Sequence, residues 1–510
     1  MLALRTLALV GLVALAHTAA AADEPKEPTK EPSPAKPVPE PRSFVTTHAG
    51  RFGGEPVAYT ATAGETYLRD AKGEPTASIF SFAYVKDGVK DPASRPVTFL
   101  WNGGPGSSSI WLHMGSMGPR RVAVPSDARP AGSPPYAVED NTGALLDVTD
   151  LVFVDPVGTG FSHALGSHED KEFWGLNPDA DSVADFIRAW LTKNKRWASP
   201  KYLAGESFGT TRAAAVAGRL EGGDRGISLN GLVLVSEALD YQGSTPAPDN
   251  LIAYVTYLPT EAATAWYHGK VQDAPKDLEA FLDEVRRFAV DEYAPALFRG
   301  NGLDPETRAR VRKRLAHDLG LTEDYVERAD LRVLANRFRK ELLRAEGKAV
   351  GRLDSRYVGD DLDDTAAEPD GDAASYGIDG AYVASFNDYL DRELAVRMDR
   401  PYTVSGQVQK DWKWRPVPEE REWEPSYVDV TRDLSRALRR NPSLRVMVAA
   451  GYYDFATPFF DAEYTLGRHG ILADQVTFHH YEAGHMMYLN RPSLDALQSD
   501  IRSFLRGAGR

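Results

Sequence analysis

Short apolar runs recur along the chain, and each ends at a glycine or a polar cluster. The clearest lie at 97–101, 151–154, 201–204, 232–235, 444–449 and 475–481. Nearly continuous apolar runs of this length are typical of strands buried on both faces of a parallel sheet. Stretches that favour helices separate several of them, at 179–193, 208–220 and 430–440. This alternation predicts an α/β architecture with a mostly parallel central sheet flanked by helices.

The pattern changes between residues 243 and 427, where helical spacing recurs without intervening strands. One helix is indicated by Leu278, Phe281, Leu282, Val285 and Phe288, a second begins at Asp304-Pro305, and a third contains Leu331, Leu334, Phe338 and Leu342. Helices inserted into an α/β frame usually form a cap over one end of the sheet, although they can also pack at its periphery. We therefore expect core segments at 43–242 and 428–510, separated by a helical cap insertion at 243–427.

The N-terminal segment has the composition of a targeting sequence rather than of a folded core. Residues 1–22 carry Arg5, an apolar run from Leu7 to Ala16 and a small-residue end, which is the pattern of a cleaved signal peptide. A membrane anchor is the alternative, but the run is short for a bilayer span. Residues 23–42 hold seven prolines and nine charged residues in twenty, which predicts a disordered tether. We expect an exported protein of the bacterial periplasm or exterior, with no stable membrane anchor.

Composition excludes several classes of partner and chemistry. With 59 Lys and Arg against 73 Asp and Glu, the formal charge is −14, which opposes binding to nucleic acid. The chain has no cysteine, so disulfides, thiolate metal sites and a cysteine nucleophile are excluded. The acidic stretch 354–373 lacks the ligand spacing of a calcium hand, so a solvated loop is favoured over an ion site. The sequence gives no indication of oligomeric state.

A candidate nucleophile, Ser207, lies in Gly205-Glu206-Ser207-Phe208-Gly209, between a predicted strand and a predicted helix. Glycines two residues away on either side leave room for the tight turn that exposes a serine hydroxyl. The helix N-terminus supplies backbone amides near a developing oxyanion. The five-residue pattern alone is weak, so its strand and helix context carries the argument.

A nucleophilic serine requires a histidine base that is held by a carboxylate. Asp454 and His485 follow predicted strands downstream, and the order Ser, Asp, His is that of the α/β-hydrolase arrangement. Taken alone, Asp454 could be a turn residue and His485 a surface histidine. A metal cluster of His479, His480 and His485 is disfavoured, because adjacent histidines in a strand face opposite ways. The triad requires no cofactor, and nothing suggests a metal.

A second glycine-rich block, Asn102-Gly103-Gly104-Pro105-Gly106, follows the first strong strand. Such a block lets the backbone approach a ligand and direct amides at it, although a plain glycine turn is the simpler alternative. In the functional interpretation, the block supplies half of an oxyanion hole and the backbone amide of Phe208 supplies the other half.

Four separated motifs closely resemble signatures of the serine carboxypeptidases, in the order of that family: Asn102 to Gly106, Val154 to Ser162, Gly205 to Gly209, and Gly484-His485-Met486. The resemblance covers about 95–240 and 430–505. It implies an α/β-hydrolase fold with Ser207 as nucleophile, His485 as general base and acid, and Asp454 orienting the histidine. It further implies oxyanion amides at Gly104 and Phe208, and binding of the substrate's terminal carboxylate by Asn102 and Glu206.

The implied substrate is a peptide with a free C-terminus. A buried carboxyl group can hydrogen-bond a carboxylate only while it keeps its own proton, so burial of Glu206 should raise its pKa. Binding of free-carboxylate peptides is then expected to weaken as pH rises.

One position departs from the family, because Ser116 stands where its better-known members carry a second carboxylic acid. His113 or Arg120 could stand in, although packing or surface roles are the simpler interpretation of both. Ser116 keeps open an esterase or acyltransferase that uses the same triad. A noncatalytic binding protein on a hydrolase scaffold is a third alternative.

Overall fold

Six parallel strands form the centre of the sheet, and they are the six strands that the apolar runs predict. The computed structural model describes residues 37–222, 225–415, 426–468 and 470–507, so the proposed signal peptide and most of the proposed tether lie outside the described residues. The strands are β1 Ser43–Phe52, β2 Glu55–Arg69, β3 Pro75–Lys86, β4 Val97–Trp101, β5 Arg120–Val122, β6 Val138–Asp140, β7 Asp150–Asp155, β8 His163–Ala164, β9 Lys201–Glu206, β10 Gly231–Val235, β11 Lys348–Val350, β12 Val358–Asp360, β13 Arg445–Gly451 and β14 Val476–Tyr481.

The main sheet has the strand order β1-β2-β3-β7-β4-β9-β10-β13-β14, with β8 paired to β3. Along this spatial order, each strand from β7 to β14 is parallel to the next one, whereas each strand from β1 to β7 is antiparallel to the next one. The architecture is therefore a mixed, mostly parallel sheet, as predicted, with an antiparallel extension that the sequence analysis missed. Two further pairs, β5 with β6 and β11 with β12, lie outside this sheet.

Helices cover both faces of the sheet. They are α1 Ile110–Leu112, α2 Leu176–Lys193, α3 Phe208–Leu220, α4 Leu251–Tyr267, α5 Leu278–Phe288, α6 Ala294–Arg299, α7 Pro305–Leu319, α8 Glu323–Arg328, α9 Ala335–Glu341, α10 Ala373–Arg392, α11 Thr431–Arg440, α12 Phe459–Leu466 and α13 Arg491–Gly507. One large apolar cluster includes α2, α3 and α11, and another includes α10 and α13. The sheet is thus buried on both sides, which accounts for its continuous apolar strands.

In its described residues, the segment between β10 and α11 contains seven α-helices, of which the sequence analysis indicated three. Asp304 caps α7 by accepting a hydrogen bond from the Thr307 amide at 2.8 Å, as the Asp-Pro pair predicts. The third predicted helix is wrong at its start, because Asp330 and Leu331 have positive φ and α9 begins only at Ala335. The first six of these helices, α4–α9, share an apolar cluster that also includes Tyr453 and Phe455 after β13, whereas α10 packs with the sheet.

Candidate active site

Ser207 occupies the sharp turn between β9 and α3. Its backbone has φ 60° and ψ −132°, and its amide donates to the Val235 carbonyl at 3.0 Å. Gly205 is needed here, because a Cβ at that position would lie 2.1 Å from the Gly209 carbonyl oxygen. A strained serine at a strand-to-helix turn, next to the amides of a helix N-terminus, has the geometry of an exposed nucleophile.

His485 and Asp454 form a buried hydrogen-bonded pair. His485 Nδ1 lies 2.7 Å from Asp454 Oδ2, and the two residues are 4% and 0% exposed. The second oxygen, Oδ1, accepts hydrogen bonds from the amides of Ala456 and Thr457, and the Thr457 hydroxyl donates to Oδ2 at 2.7 Å. Because the carboxylate binds Nδ1, the other ring nitrogen, Nε2, is left to take up a proton. Burial alone would lower the pKa of His485, but Asp454 outweighs it, so the pKa is raised.

The topology brings these three residues to the same edge of the sheet. Ser207 follows β9, Asp454 follows β13 by a short turn and His485 follows β14; these strands lie parallel, with β10 between β9 and β13. Ser207 and His485 both line one cavity of ≈ 430 Å³. The carboxyl ends of parallel strands are the usual place for such sites in α/β folds. The structure therefore places the three predicted triad residues at one site.

The glycine-rich block lies directly against the nucleophile turn. A Cβ on Gly103 would lie 2.5 Å from the Phe208 amide nitrogen, and Gly104 has φ 104°. Gly104 and Phe208 also line the cavity. The two predicted oxyanion residues are thus side by side in space, on the same cavity wall as Ser207.

Arg212 ties this block to the rest of the core. Its Nη1 donates to the Asn102 carbonyl at 2.7 Å, and its Nε donates to Asp179 Oδ2 at 2.6 Å. All three residues are buried. Sequence reasoning missed Arg212, although an arginine among the alanines of a buried helix was a visible signal.

Asp155 also supports the region of the glycine-rich block. It lies in the motif Val154 to Ser162, which resembles a serine carboxypeptidase signature. It accepts hydrogen bonds from the amide and hydroxyl of Ser109 at 2.9 and 2.8 Å, and from the Tyr402 hydroxyl at 2.8 Å. Burial raises its pKa to about 6, opposed by these hydrogen bonds. Asp155 therefore holds Ser109, three residues after the glycine-rich block.

Asn102 and Glu206, the predicted carboxylate-binding pair, are joined by a hydrogen bond. Asn102 Nδ2 donates to Glu206 Oε1 at 2.8 Å, and Asn102 Oδ1 accepts from the Leu112 amide at 3.0 Å. Burial raises the pKa of Glu206 to about 7; His485, Tyr488 and Asn102 lower it and Asp454 raises it. The carboxyl group next to Ser207 is consequently neutral below about pH 7 and can donate a hydrogen bond there.

Neither His113 nor Arg120 takes the place of a second acid. His113 is buried, stacks on Phe153 at 4.2 Å between ring centroids, and bonds the Tyr84 hydroxyl through Nε2 at 2.7 Å. Burial lowers its pKa to about 3. Arg120 pairs with Asp140 and Glu393. Both residues are therefore structural, as the simpler interpretation of the sequence held.

The other charged clusters are also structural. His479 pairs with Asp500 at 3.1 Å and His480 with Glu463 at 2.9 Å. In the acidic stretch, Asp361 pairs with the buried Lys340 at 2.9 Å, so this part of the stretch is not solvated as expected. Within the described ranges, no group of three or more His, Asp or Glu could hold a metal ion.

The remaining cavity wall comes from residues that the sequence analysis did not assign. Trp111 and Tyr241 belong to the predicted core segment 43–242, whereas Arg352, Ser375 and Asp379 belong to the predicted insertion 243–427. Periodicity cannot place such residues, because they come from loops and helix ends far apart in the chain.

The sheet order and the serine turn are those of the α/β-hydrolase fold. Residues 61–273 match the sequence profile of the serine carboxypeptidase family. The resemblance to the serine carboxypeptidases is thereby confirmed over these residues.

Individual relatives match over part of the chain. Serine carboxypeptidase-like 16 of Arabidopsis thaliana is 30% identical over 167 residues, which are 31% of this chain and 37% of that protein. The pheromone-processing carboxypeptidase kex1 of Pyrenophora tritici-repentis is 33% identical over 138 residues, or 26% of this chain and 19% of that protein. The aligned segments thus span well under half of these relatives.

The fold comparison extends further. The crystal structure of Kex1(delta)p, a prohormone-processing carboxypeptidase from Saccharomyces cerevisiae, superposes with a TM-score of 0.55 at 16% identity. The match covers 87% of this chain and 91% of that chain. At this identity the likeness concerns the fold.

Helices long and apolar enough to cross a bilayer are absent from the described ranges.

Proposed function

We propose that the protein is an exported serine carboxypeptidase that releases C-terminal residues from peptides with a free C-terminus. The observation that carries the proposal is the buried Glu206, paired with Asn102 at 2.8 Å in the cavity of Ser207. A neutral carboxyl group and an amide are suitable donors for a substrate carboxylate. They would place the last peptide bond at the nucleophile.

In the proposed reaction, Ser207 Oγ attacks the carbonyl carbon of the last peptide bond while His485 Nε2 takes the hydroxyl proton. Asp454 keeps the histidine oriented and stabilises its charged form, in accord with the raised pKa of His485. The oxyanion receives hydrogen bonds from the Gly104 and Phe208 amides. The C–N bond then breaks, and His485 returns the proton to the leaving amine.

An acyl-enzyme on Ser207 remains after the C-terminal residue leaves. Water attacks it with His485 again as general base, and the shortened peptide is released with a new carboxylate. In this proposal the core segments 43–242 and 428–510 hold the machinery. The insertion 243–427 supplies part of the substrate wall through Arg352 and Asp379.

The proton state of Glu206 gives the proposal a pH dependence. Its pKa of about 7 lies above the ordinary glutamate value because the group is buried. Below this pKa the neutral group donates to the substrate carboxylate, and above it the two carboxylates repel. The Michaelis constant for free-acid peptides should therefore rise about tenfold per pH unit above pH 7.

The test offers purified protein a blocked dipeptide as free acid, C-terminal amide and ester, with Ser207→Ala as control. Rapid release of the last residue from the acid, slow release from the amide and no release by the variant support the proposal. Ester cleavage with both peptides intact would support an esterase or acyltransferase, the alternative that Ser116 keeps open. Lack of reaction with every substrate and with a covalent serine probe would indicate a noncatalytic binding protein.

Export is a separate part of the proposal. It is supported by the charged start, apolar run and small-residue end of residues 1–22. N-terminal sequencing of the protein recovered from outside the cytoplasm tests it. A first residue near Asp23 is expected, and an intact Met1 would contradict cleavage.

A further inference from the structure

Ser116 provides no second acid, so the group that supports the second carboxyl oxygen of Glu206, Oε2, has to be found elsewhere. Ser116 is buried, and its hydroxyl donates to the Leu112 carbonyl at 3.4 Å. Its own carbonyl accepts from Asn141 Nδ2 at 2.7 Å and from Gln498 Nε2 at 2.6 Å. The serine is thus engaged with the backbone and the core, rather than with the carboxylate-binding pair.

The space beside this segment is filled by the ring of Tyr488, three residues after His485. Gly115 makes the approach possible, because a Cβ there would lie 2.3 Å from Tyr488 Cε2 and 2.8 Å from the Tyr382 hydroxyl. The short helical turn Met487–Leu489 that holds Tyr488 packs against the segment His113–Met117 that holds Gly115 and Ser116. Any side chain at position 115 would displace this ring.

The Tyr488 hydroxyl and Glu206 Oε2 are both buried, and neither has a well-formed hydrogen bond. Asn102 links the two regions, because its Nδ2 donates to Glu206 Oε1 at 2.8 Å and its Oδ1 accepts from the amide of Leu112, three residues before Gly115. In accord with this placement, the Tyr488 hydroxyl lowers the pKa of Glu206. A buried carboxyl oxygen and a buried hydroxyl without other partners are strongly driven to bond one another.

We propose that Tyr488 is a positioning residue for recognition of the substrate carboxylate. The Tyr488 hydroxyl holds the Glu206 carboxyl group in place, in a role that Ser116 does not fill because it is not an acid. The inference rests on the proposed carboxypeptidase function and deepens it. Oε1 accepts from Asn102 Nδ2, and the Tyr488 hydroxyl donates to Oε2, so a proton on Oε2 stays available for the substrate carboxylate. The carboxyl group is then fixed at both oxygens before substrate arrives.

The proposal predicts the direction of a pH shift. The groups that act on Glu206 are His485, Tyr488 and Asn102, which favour its ionised form, and Asp454, which favours its neutral form; Tyr382 is a further neighbour. Removing the Tyr488 hydroxyl takes away one group that favours the ionised form. Glu206 should then stay neutral to higher pH, although it is held less firmly.

The experiment measures kcat and KM for a blocked free-acid dipeptide across the pH range, in wild type and Tyr488→Phe. We expect the pH at which KM rises to move upward by about one unit, with KM moderately raised at acidic pH and kcat little changed. The matched C-terminal amide should show no such shift. Tyr357→Phe is the control, because Tyr357 is buried with an unpartnered hydroxyl and is absent from the groups that act on Glu206.

The outcomes separate the two claims. A shift in Tyr488→Phe alone supports the role of Tyr488. An unmoved midpoint, or the same shift in Tyr357→Phe, overturns it while the carboxypeptidase proposal stands. A wild-type enzyme that treats acid and amide alike overturns the proposed function and this inference together.

Discussion

Arg212 joins the core to the glycine-rich block by a buried ion pair, and its replacement by methionine should be costly. The guanidinium donates to both Asp179 oxygens, at 2.6 and 3.1 Å, and to the Asn102 carbonyl at 2.7 Å. The side chains of Arg212 and Asp179 are 1% and 4% exposed. Arg212→Met fills much of the same volume but leaves the carboxylate and the carbonyl without their donor.

The magnitude follows from the burial of the charge that remains. Removing one partner of a buried ion pair typically lowers the free energy of unfolding by about 3–5 kcal/mol. Burial raises the pKa of Asp179 and Arg212 opposes this, so the variant should raise that pKa further. A carboxyl group whose folded pKa is raised destabilises the fold above its unfolded pKa of about 4, and protonation relieves the loss at lower pH.

Urea denaturation followed by tryptophan fluorescence, at about pH 5 and about pH 8, measures this effect. The loss should be larger at the higher pH, and Asp179→Asn in the Arg212→Met background should recover part of it. Arg219→Met on the same helix is the matched control. Its partner Asp181 is 47% exposed, so a change of about 1 kcal/mol or less is expected. Equal losses in the two single variants, or no recovery in the double variant, would refute the reasoning.

Two further variants test the chemistry of the site. Asp454→Asn should lower kcat by about 10³–10⁴-fold, because the histidine loses the carboxylate that fixes its tautomer and stabilises its charged form. An unchanged kcat would contradict the assignment of Asp454 to the triad. Gly103→Ala should lower kcat by about 10²–10³-fold, because its Cβ would lie 2.5 Å from the Phe208 amide nitrogen. The exposed Gly302, where a Cβ meets no atom within 4 Å and the backbone is not left-handed, provides its control, and equal activity of Gly103→Ala and Gly302→Ala would contradict the placement.

The sequence was most informative where one physical requirement dominates. Buried parallel strands need apolar residues on both faces, so six runs predicted six strands, and α3 begins and ends at the predicted residues, Phe208 and Leu220. The antiparallel strands β1 and β2 were missed because they are not continuous apolar runs; the half-exposed β1, for example, carries Thr46, Thr47 and His48 in a row. β3 was also missed, although it could have been predicted, since its central eight residues are buried.

The site shows the same division. Ser207, Asp454 and His485 follow strands, so their meeting at one sheet edge could be predicted from chain order alone. Arg212, Thr457 and Tyr488 act through contacts between segments far apart in sequence, and periodicity carries no information about such contacts. The turn at Asp330 and Leu331 was missed for a related reason, because non-glycine residues with positive φ have no reliable sequence signal.

The most direct test of the account compares kcat/KM for the free-acid and amide forms of one blocked dipeptide from about pH 5 to about pH 9. Wild type should strongly prefer the acid at low pH, and the preference should fall above about pH 7 as Glu206 ionises. Glu206→Gln, which stays neutral, should show a preference that is flat with pH. A flat ratio in wild type, or the same falling ratio in both proteins, would contradict the claim that a neutral Glu206 recognises the terminal carboxylate beside Ser207.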